Sequence, residues 1–261
     1  MKLEIPFSVL RASARLFELL GIDPIVKLRH YRFLLPHELL AYAVNNLEHV
    51  VIDNAYCKPN SFKPRKGVRV LDAGAALGFY TVVMGKGGAS VVALEPITSL
   101  ASYALVNAEL NAVSRAKILP VALIGGSGSR EVTLTLSANP LTSSIEASHA
   151  ELHGGIVGKM RVKAVGFDTL FSLLGPFDIV KLDVECVELE IVKKSEAVSR
   201  IPQLVVEVHT DCVDIAELCL ALERKGFSTL VTMDPDEPYQ AIVYATSSQI
   251  HGLSAYSGNT R

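Results

Sequence analysis

A β-branched run that stops at an aspartate and opens into small residues constrains this chain more than any other stretch. It is Val68 to Thr81, VRVLDAGAALGFYT, with Asp72 closing the run and glycines at Gly74 and Gly78. A strand feeding through glycines into a helix-like segment starts a βαβ unit. Ligands of such folds bind beyond the carboxyl ends of the strands.

The spacing separates two cofactor classes. A dinucleotide turn reads G-x-G-x-x-G, because a pyrophosphate lies against backbone and helix N-terminus. Here Ala76 takes the middle glycine's place, and the pattern is D-x-G-x-x-x-G. An acid ahead of the glycines suits a ligand with an ammonium and a sulfonium, such as S-adenosylmethionine. Glu95 closes the next strand, SVVALEP, at the distance where a carboxylate reaches a ribose diol in either class. The plainer alternatives are a capping carboxylate at Asp72 and tight strand-to-helix packing at the glycines.

The 261 residues allow one α/β domain with an appendage or two small domains. The longest apolar runs are strand-length, so no membrane span is expected, and charges at Glu4, Arg11, Arg15 and Glu18 interrupt any signal-peptide core. A cytoplasmic protein is the expectation. Cys57, Cys186, Cys212 and Cys219 are scattered, without a C-x-x-C pair or a histidine at zinc-finger spacing, which predicts neither disulfides nor structural zinc. Through Lys66 there are 10 Lys/Arg against 6 Asp/Glu, leaving 15 against 21 behind them. That bias is too weak to argue nucleic-acid binding by itself.

The pattern predicts helices over residues 8–20 and 37–51, the latter with Leu40, Ala43, Val44, Leu47 and Val51 on one face. Between them Lys27, Arg29, His30, Tyr31, Arg32 and Phe33 interleave charge with aromatics, as an RNA contact or as a solvated helix face. Lys58 to Gly67 reads as a linker, dividing a helical extension (1–66) from the main domain (67–261). Strands and helices then alternate. Strands are expected at 69–72, 90–95, 117–123, 177–184 and 203–208, with helices at 79–86, 100–111 and 214–225. Glu131 to Leu136 alternates strictly and is expected to pair with Met160 to Val165. The polar stretch of about 20 residues between them is too long for an idle connection. Asp168 is expected to cap a helix at 169–174. Residues 227–232 and 241–246 form a terminal hairpin, followed by a polar tail from Ser247 that is expected to be loosely held.

Unusual polar residues end three strands: Asp72, Asp183, and Glu207 with His209. Around Asp183 the sequence KLDVECVELE places Lys181, Asp183, Glu185 and Glu188 together. Burying several carboxylates is costly unless they are paired, bind a cation or stay solvated, which makes a functional site plausible. Glu185, Glu188 and Glu190 as acids opening a helix is the plain alternative. His209, titrating near neutral pH, is the natural general base.

From Val68 to about Thr210 the chain resembles the FkbM family of S-adenosylmethionine-dependent methyltransferases, best known for O-methylation. The segments that carry the likeness are LDAGAALGFYT, ALEP, the NAEL run ending at Asn111, VKAVGFDTL, IVKLDVECVE and VVEVH. The resemblance implies the class I methyltransferase fold: a Rossmann-like α/β domain with a seven-stranded sheet, an antiparallel last strand, and helices on both faces. It implies that Asp72, Gly74 and Gly78 hold the methionine part of the cofactor and Glu95 the ribose. Ala76, Phe79, Tyr80, Thr81 and Pro96 flank them in the cofactor site, and Asp183, Glu185 and Glu188 lie by the transferred methyl. The family usually has asparagine at Ala76, and glycine then alanine at Cys186 and Val187.

The sequence reading is a methyltransferase that moves a methyl to a hydroxyl of a small molecule or sugar, with His209 or Asp183 as base and Glu185 and Glu207 orienting the acceptor. No metal is assigned, although Asp183 and Glu207 leave a metal-assisted route open. The rival readings are an RNA or tRNA methyltransferase using the Arg29 to Arg32 cluster, a nicotinamide oxidoreductase, and a noncatalytic nucleoside-binding module.

Overall fold

A computed structural model describes residues 3–233 and 239–248. The front of the chain runs β1 (Glu4–Pro6), α1 (Phe7–Leu20), β2 (Ile25–Leu28), β3 (Tyr31–Leu34) and α2 (Leu40–Leu47), which continues as a π turn over Glu48–Ile52. The front is thus not purely helical. β2 and β3 pair antiparallel, and β1 adds in parallel to β2. The Lys27 to Phe33 cluster therefore lies on a hairpin rather than a helix face. Arg29 takes φ 55 in its turn, so Val26 and Phe33 are buried while Lys27 and Arg32 face out.

Behind Lys66 the elements are β4 (Arg69–Ala73), α3 (Phe79–Lys86), β5 (Ser90–Leu94), α4 (Thr98–Leu110), β6 (Ala116–Leu119), β7 (Ala122–Ile124) and β8 (Ser129–Ser137). Then follow α5 (Ala147–Gly154), β9 (Ile156–Gly166), α6 (Phe167–Leu174), β10 (Ile179–Leu182), α7 (Glu188–Lys194), β11 (Gln203–His209), α8 (Ile215–Arg224), β12 (Phe227–Met233) and β13 (Gln240–Ser247). Seven strands form the main sheet in the order β12-β13-β11-β10-β4-β5-β6. β6, β5, β4, β10 and β11 are mutually parallel; β13 runs antiparallel to both of its neighbours. This is the fold class expected from the sequence.

Central strands covered on both faces read as unbroken apolar runs. All of β11 is buried, as is all of β10. Each buried Val, Ile or Leu there stabilises the fold by roughly 1.5–3 kcal/mol. The polar exceptions, Lys181, Glu207 and His209, must therefore find partners inside.

The expected strand at 117–123 divides at Pro120, which has no N–H to give a ladder. β6 stays in the main sheet; β7 joins β9 and β8 in a separate three-stranded sheet, where β8 and β9 pair antiparallel as expected. Asp168 does not cap its own helix. Its carboxylate accepts from the backbone N–H of Glu196 (3.2 Å) and Ala197 (2.8 Å), capping the short turn that follows α7. The tail beyond Ser248 lies outside the described residues.

The front packs into the same core as the main sheet. Leu10, Phe33, Leu40 and Leu47 share a buried cluster with Val70, Phe79, Val82 and Tyr244. Asn107 on α4 and Asn111 at its C-cap, one turn apart, bind the backbone of β3: Asn107 Oδ1 accepts from Leu34 N–H (2.7 Å) and Asn111 Nδ2 donates to the Arg32 carbonyl (2.6 Å). Two amides at i and i+4 thus dock a strand edge on a helix.

Candidate active site

A cavity of about 270 Å³ opens at the carboxyl ends of β4, β5, β10 and β11. Gly74, Ala76, Glu95, Pro96, Asp183, Glu185 and Glu207 all line it. Leu100, Leu123 and Leu141 supply apolar wall, and His49 comes from the front of the chain. The long β8–β9 connection adds Asn139 to Ser143, so it builds the wall of the site.

The turn after β4 is shaped by close approach. Gly74 sits at φ 74, and a Cβ there would lie 1.6 Å from the Asp183 carbonyl oxygen, so only glycine fits. Gly78, at φ 80, starts α3 against Ala104. Glu95 closes the other side of the turn, accepting from Ala76 N–H (2.9 Å) and Ile97 N–H (2.8 Å). Burial raises its carboxyl more than these bonds lower it, leaving it pushed up to about 7.

The sequence-selected residues divide into wall and support. Gly74, Ala76, Glu95, Pro96, Asp183, Glu185 and Glu207 face the cavity. Asp72 is fully buried beneath it, accepting from the Thr81 hydroxyl (2.6 Å) and lying 3.4 Å from Lys181 Nζ. Phe79 packs edge-on to Phe33, and Tyr80 edge-on to Tyr56. Glu188 opens α7 and turns back to accept from Val184 N–H (2.7 Å). Asp72, Gly78, Phe79, Tyr80, Thr81 and Glu188 thus hold the turns from behind.

Lys181 ties both halves together. Its Nζ reaches the Gly74 carbonyl at 2.8 Å and Asp183 at 3.0 Å, and it lies 4.9 Å from the centre of the Tyr56 ring. Burial would discharge it, but Asp183 and Asp72 outweigh burial and raise its pKa, so it is a fixed cation. The Tyr56 hydroxyl is shared by Glu207 and Asp183, and His49 Nε2 lies 3.6 Å from Glu207. Burial opposes the Glu207 charge, yet His49, His209 and Tyr56 hold its pKa down at about 2. Glu207 is therefore a permanent anion.

His209 lies behind Glu185, its Nε2 3.3 Å from Glu185 Oε2 and 4.0 Å from Glu207 Oε1. Burial lowers its pKa, but Glu185, Glu188 and Glu207 outweigh this and push it up to about 9. His149, on α5, meets the same Glu185 oxygen at 2.6 Å. Tyr56, His49 and His149 escaped sequence reasoning. They stand far from the strand ends in sequence and carry no spacing signal; the long connection that delivers His149 was the one available hint.

The model for the methyltransferase FkbM domain matches residues 72–229, more than half of the chain. The chain belongs to the FkbM methyltransferase family. No curated protein matches its sequence significantly. Among solved structures, the ribosomal protein L11 methylase of Lactobacillus delbrueckii subsp. bulgaricus is similar over 81% of this chain and 80% of its own, at 14% identity and a TM-score of 0.43. Magnesium protoporphyrin IX methyltransferase of Synechocystis PCC 6803, with bound SAM, is similar over 81% and 80%, at 16% identity and a TM-score of 0.42.

Two of the three departures from the FkbM pattern fall on left-handed backbone, Val187 being the exception at φ -101. Ala76 has φ 47 where asparagine is usual, and Cys186 has φ 82 where glycine is usual. Asparagine and glycine tolerate that region; alanine and cysteine do so at a cost. At Cys186 a disulfide to Cys212 holds the strained residue, with Cα atoms 5.7 Å apart. This corrects the expectation of no disulfide. The two cysteines are 26 residues apart, but each lies just past one of two adjacent strands, β10 and β11, and the sheet brings them together. The bulk of Cys186 is taken up by that bond, and Cys186 is not among the cavity-lining residues.

Proposed function

We propose that this FkbM-family protein is an S-adenosylmethionine-dependent O-methyltransferase acting on a hydroxyl of a small molecule or carbohydrate. The observation that carries this reading is one cavity at the strand ends that gathers Glu95 and the glycine turn together with Asp183, Glu185 and Glu207. The donor set fits the cofactor. Glu95, which lines the cavity while its oxygens accept from Ala76 and Ile97 N–H, suits a ribose diol, and the apolar wall suits an adenine. When bound, the cofactor supplies an activated methyl on a sulfonium.

The chain's own residues then bind, align and take a proton. Asp183 is the base we assign, since it faces the cavity and Lys181 and Tyr56 fix its orientation. Glu207, held ionised, orients the acceptor by accepting from its hydroxyls. His209 carries a proton at neutral pH, which suits it to hold Glu185 in place rather than to act as base. A hydroxyl acceptor is favoured over nucleic acid because the basic residues of the front are partly neutralised: Arg32 pairs with Glu4 and Arg11 with Glu48.

Calorimetric titration with S-adenosylmethionine and S-adenosylhomocysteine tests this, with NAD as control and Glu95→Ala alongside. Binding of the sulfur nucleosides that weakens at least about tenfold in the variant supports the reading. Binding of NAD alone overturns it. Methyl transfer to a panel of sugars and alcohols, compared with RNA, then tests the acceptor class.

A further inference from the structure

Behind the cavity wall, three side chains far apart in sequence converge on one point. His149 is buried on α5, with Nε2 2.6 Å from Glu185 Oε2 and Nδ1 2.8 Å from Asp211 Oδ2. His209, at the end of β11, brings its Nε2 to 3.3 Å from the same Glu185 oxygen. The two imidazoles meet edge to face, 4.9 Å between centroids. One donor atom from each of the three residues lies within 4.8 Å of the others.

Two further features mark a built site rather than a chance meeting. Asp211 on Nδ1 stands where a carboxylate buttress orients metal-binding histidines, with Nε2 turned to Glu185. The Cys186–Cys212 disulfide joins the residue after Glu185 to the residue after Asp211, so ligand and buttress are cross-linked. The local charge also calls for a cation. Asp72, Asp183, Glu185, Glu188 and Glu207 crowd the strand ends, while the one buried lysine there, Lys181, is spent on Asp72 and Asp183. Glu185 and Glu207 have imidazoles rather than a lysine or arginine against them, a place that an ion can take.

We propose that His149, Glu185 and His209 form a binding site for a divalent first-row transition ion, with Asp211 orienting His149. Two imidazoles and a carboxylate with open positions suit zinc, iron, cobalt or manganese over magnesium, which takes oxygen ligands. Glu185 also lines the cavity, so the ion sits in its wall. There it supplies a positive charge among the carboxylates, and it polarises an acceptor oxygen placed against it. That last role rests on the methyltransferase reading; the ion site itself does not.

The test is titration of the full chain with zinc chloride and, separately, with cobalt(II) followed by its visible d–d absorption. No reductant is present, so the two cysteines stay bonded. The expected result is a single tight ion per chain, with tetrahedral-type cobalt bands. His149→Ala should weaken binding at least about 100-fold, and Asp211→Asn about 10- to 100-fold, as loss of such buttresses does. His30→Ala, an exposed histidine on the turn between β2 and β3, should leave binding unchanged. Should His149→Ala fail to fold, Glu185→Gln takes its place with the same expectation. No binding of either ion at about 100 µM, or equal affinity in the ligand variants, overturns the site. Titration of the same samples with S-adenosylmethionine separates the two readings: cofactor bound without an ion removes only the metal site, and an ion bound without cofactor removes only the methyltransferase reading.

Discussion

Glu95 makes the stability of this protein depend on pH in a way that one substitution isolates. Its carboxyl is pushed up to about 7 in the folded chain by burial, against the usual 4.5 for an exposed glutamate. Below pH 4.5 both states hold the proton and the group contributes nothing. Between pH 4.5 and 7 the folded state holds a proton that the unfolded state has released, so stability falls as pH rises; above 7 the loss levels off. Integrating the linkage relation between pH 5 and 8 gives about 2.5 kcal/mol lost to this group alone. Glu95→Gln cannot titrate. Its amide also turns one donor toward the N–H of Ala76 or Ile97, a fixed cost of about 1–3 kcal/mol at every pH. The quantity to measure is therefore the difference between wild type and variant in urea-unfolding free energy, in steps from pH 5 to 8 without cofactor. That difference should shift by about 2.5 kcal/mol in favour of the variant across the range. Asp72, Glu185 and Glu188 contribute their own slopes, but these are common to both proteins and cancel. Parallel curves would refute the reasoning and return Glu95 to an ordinary, solvated carboxylate.

Three other outcomes are expected. Ala76→Gly removes a left-handed alanine at φ 47 and should raise unfolding stability by about 0.5–1 kcal/mol after the entropy cost of glycine; a loss would mean the Ala76 methyl packs better than its exposure suggests. Opening the Cys186–Cys212 bond with the double serine variant should cost about 3.5 kcal/mol by loop-closure entropy over its 26-residue separation, read from the denaturant midpoint; an unmoved midpoint would show that the strand ends hold this geometry unaided. Tyr56→Phe deprives Glu207 and Asp183 of a shared hydroxyl and should destabilise by about 2 kcal/mol, as expected for a charge-assisted hydrogen bond; a change under about 0.5 kcal/mol would mean that water replaces it.

The alternation of short apolar runs with helical periods determined the βαβ architecture, because local hydrophobic period and strand length are properties of the chain itself. The strand-end residues followed from the same rule: Glu95, Asp183 and Glu207 had to reach one edge of a parallel sheet, and they do. Gly74 was legible as a point of close approach, though the structure shows that what approaches is the Asp183 carbonyl. What the tertiary structure alone decided depends on contacts between residues remote in sequence. Asp72 is aligned with the cavity residues along the chain, but the strand's pleat turns it down to Lys181 and Thr81. Cys186 and Cys212 carry no spacing signal, and only the adjacency of β10 and β11 pairs them. Asp168 prefers the N–H groups of another turn to those of its own helix. Tyr56 enters the site from the segment after the π turn and His149 from a long connection, where sequence shows polarity but not direction. Periodicity encodes which face of an element is buried; which distant side chain meets it there is settled only when the elements pack.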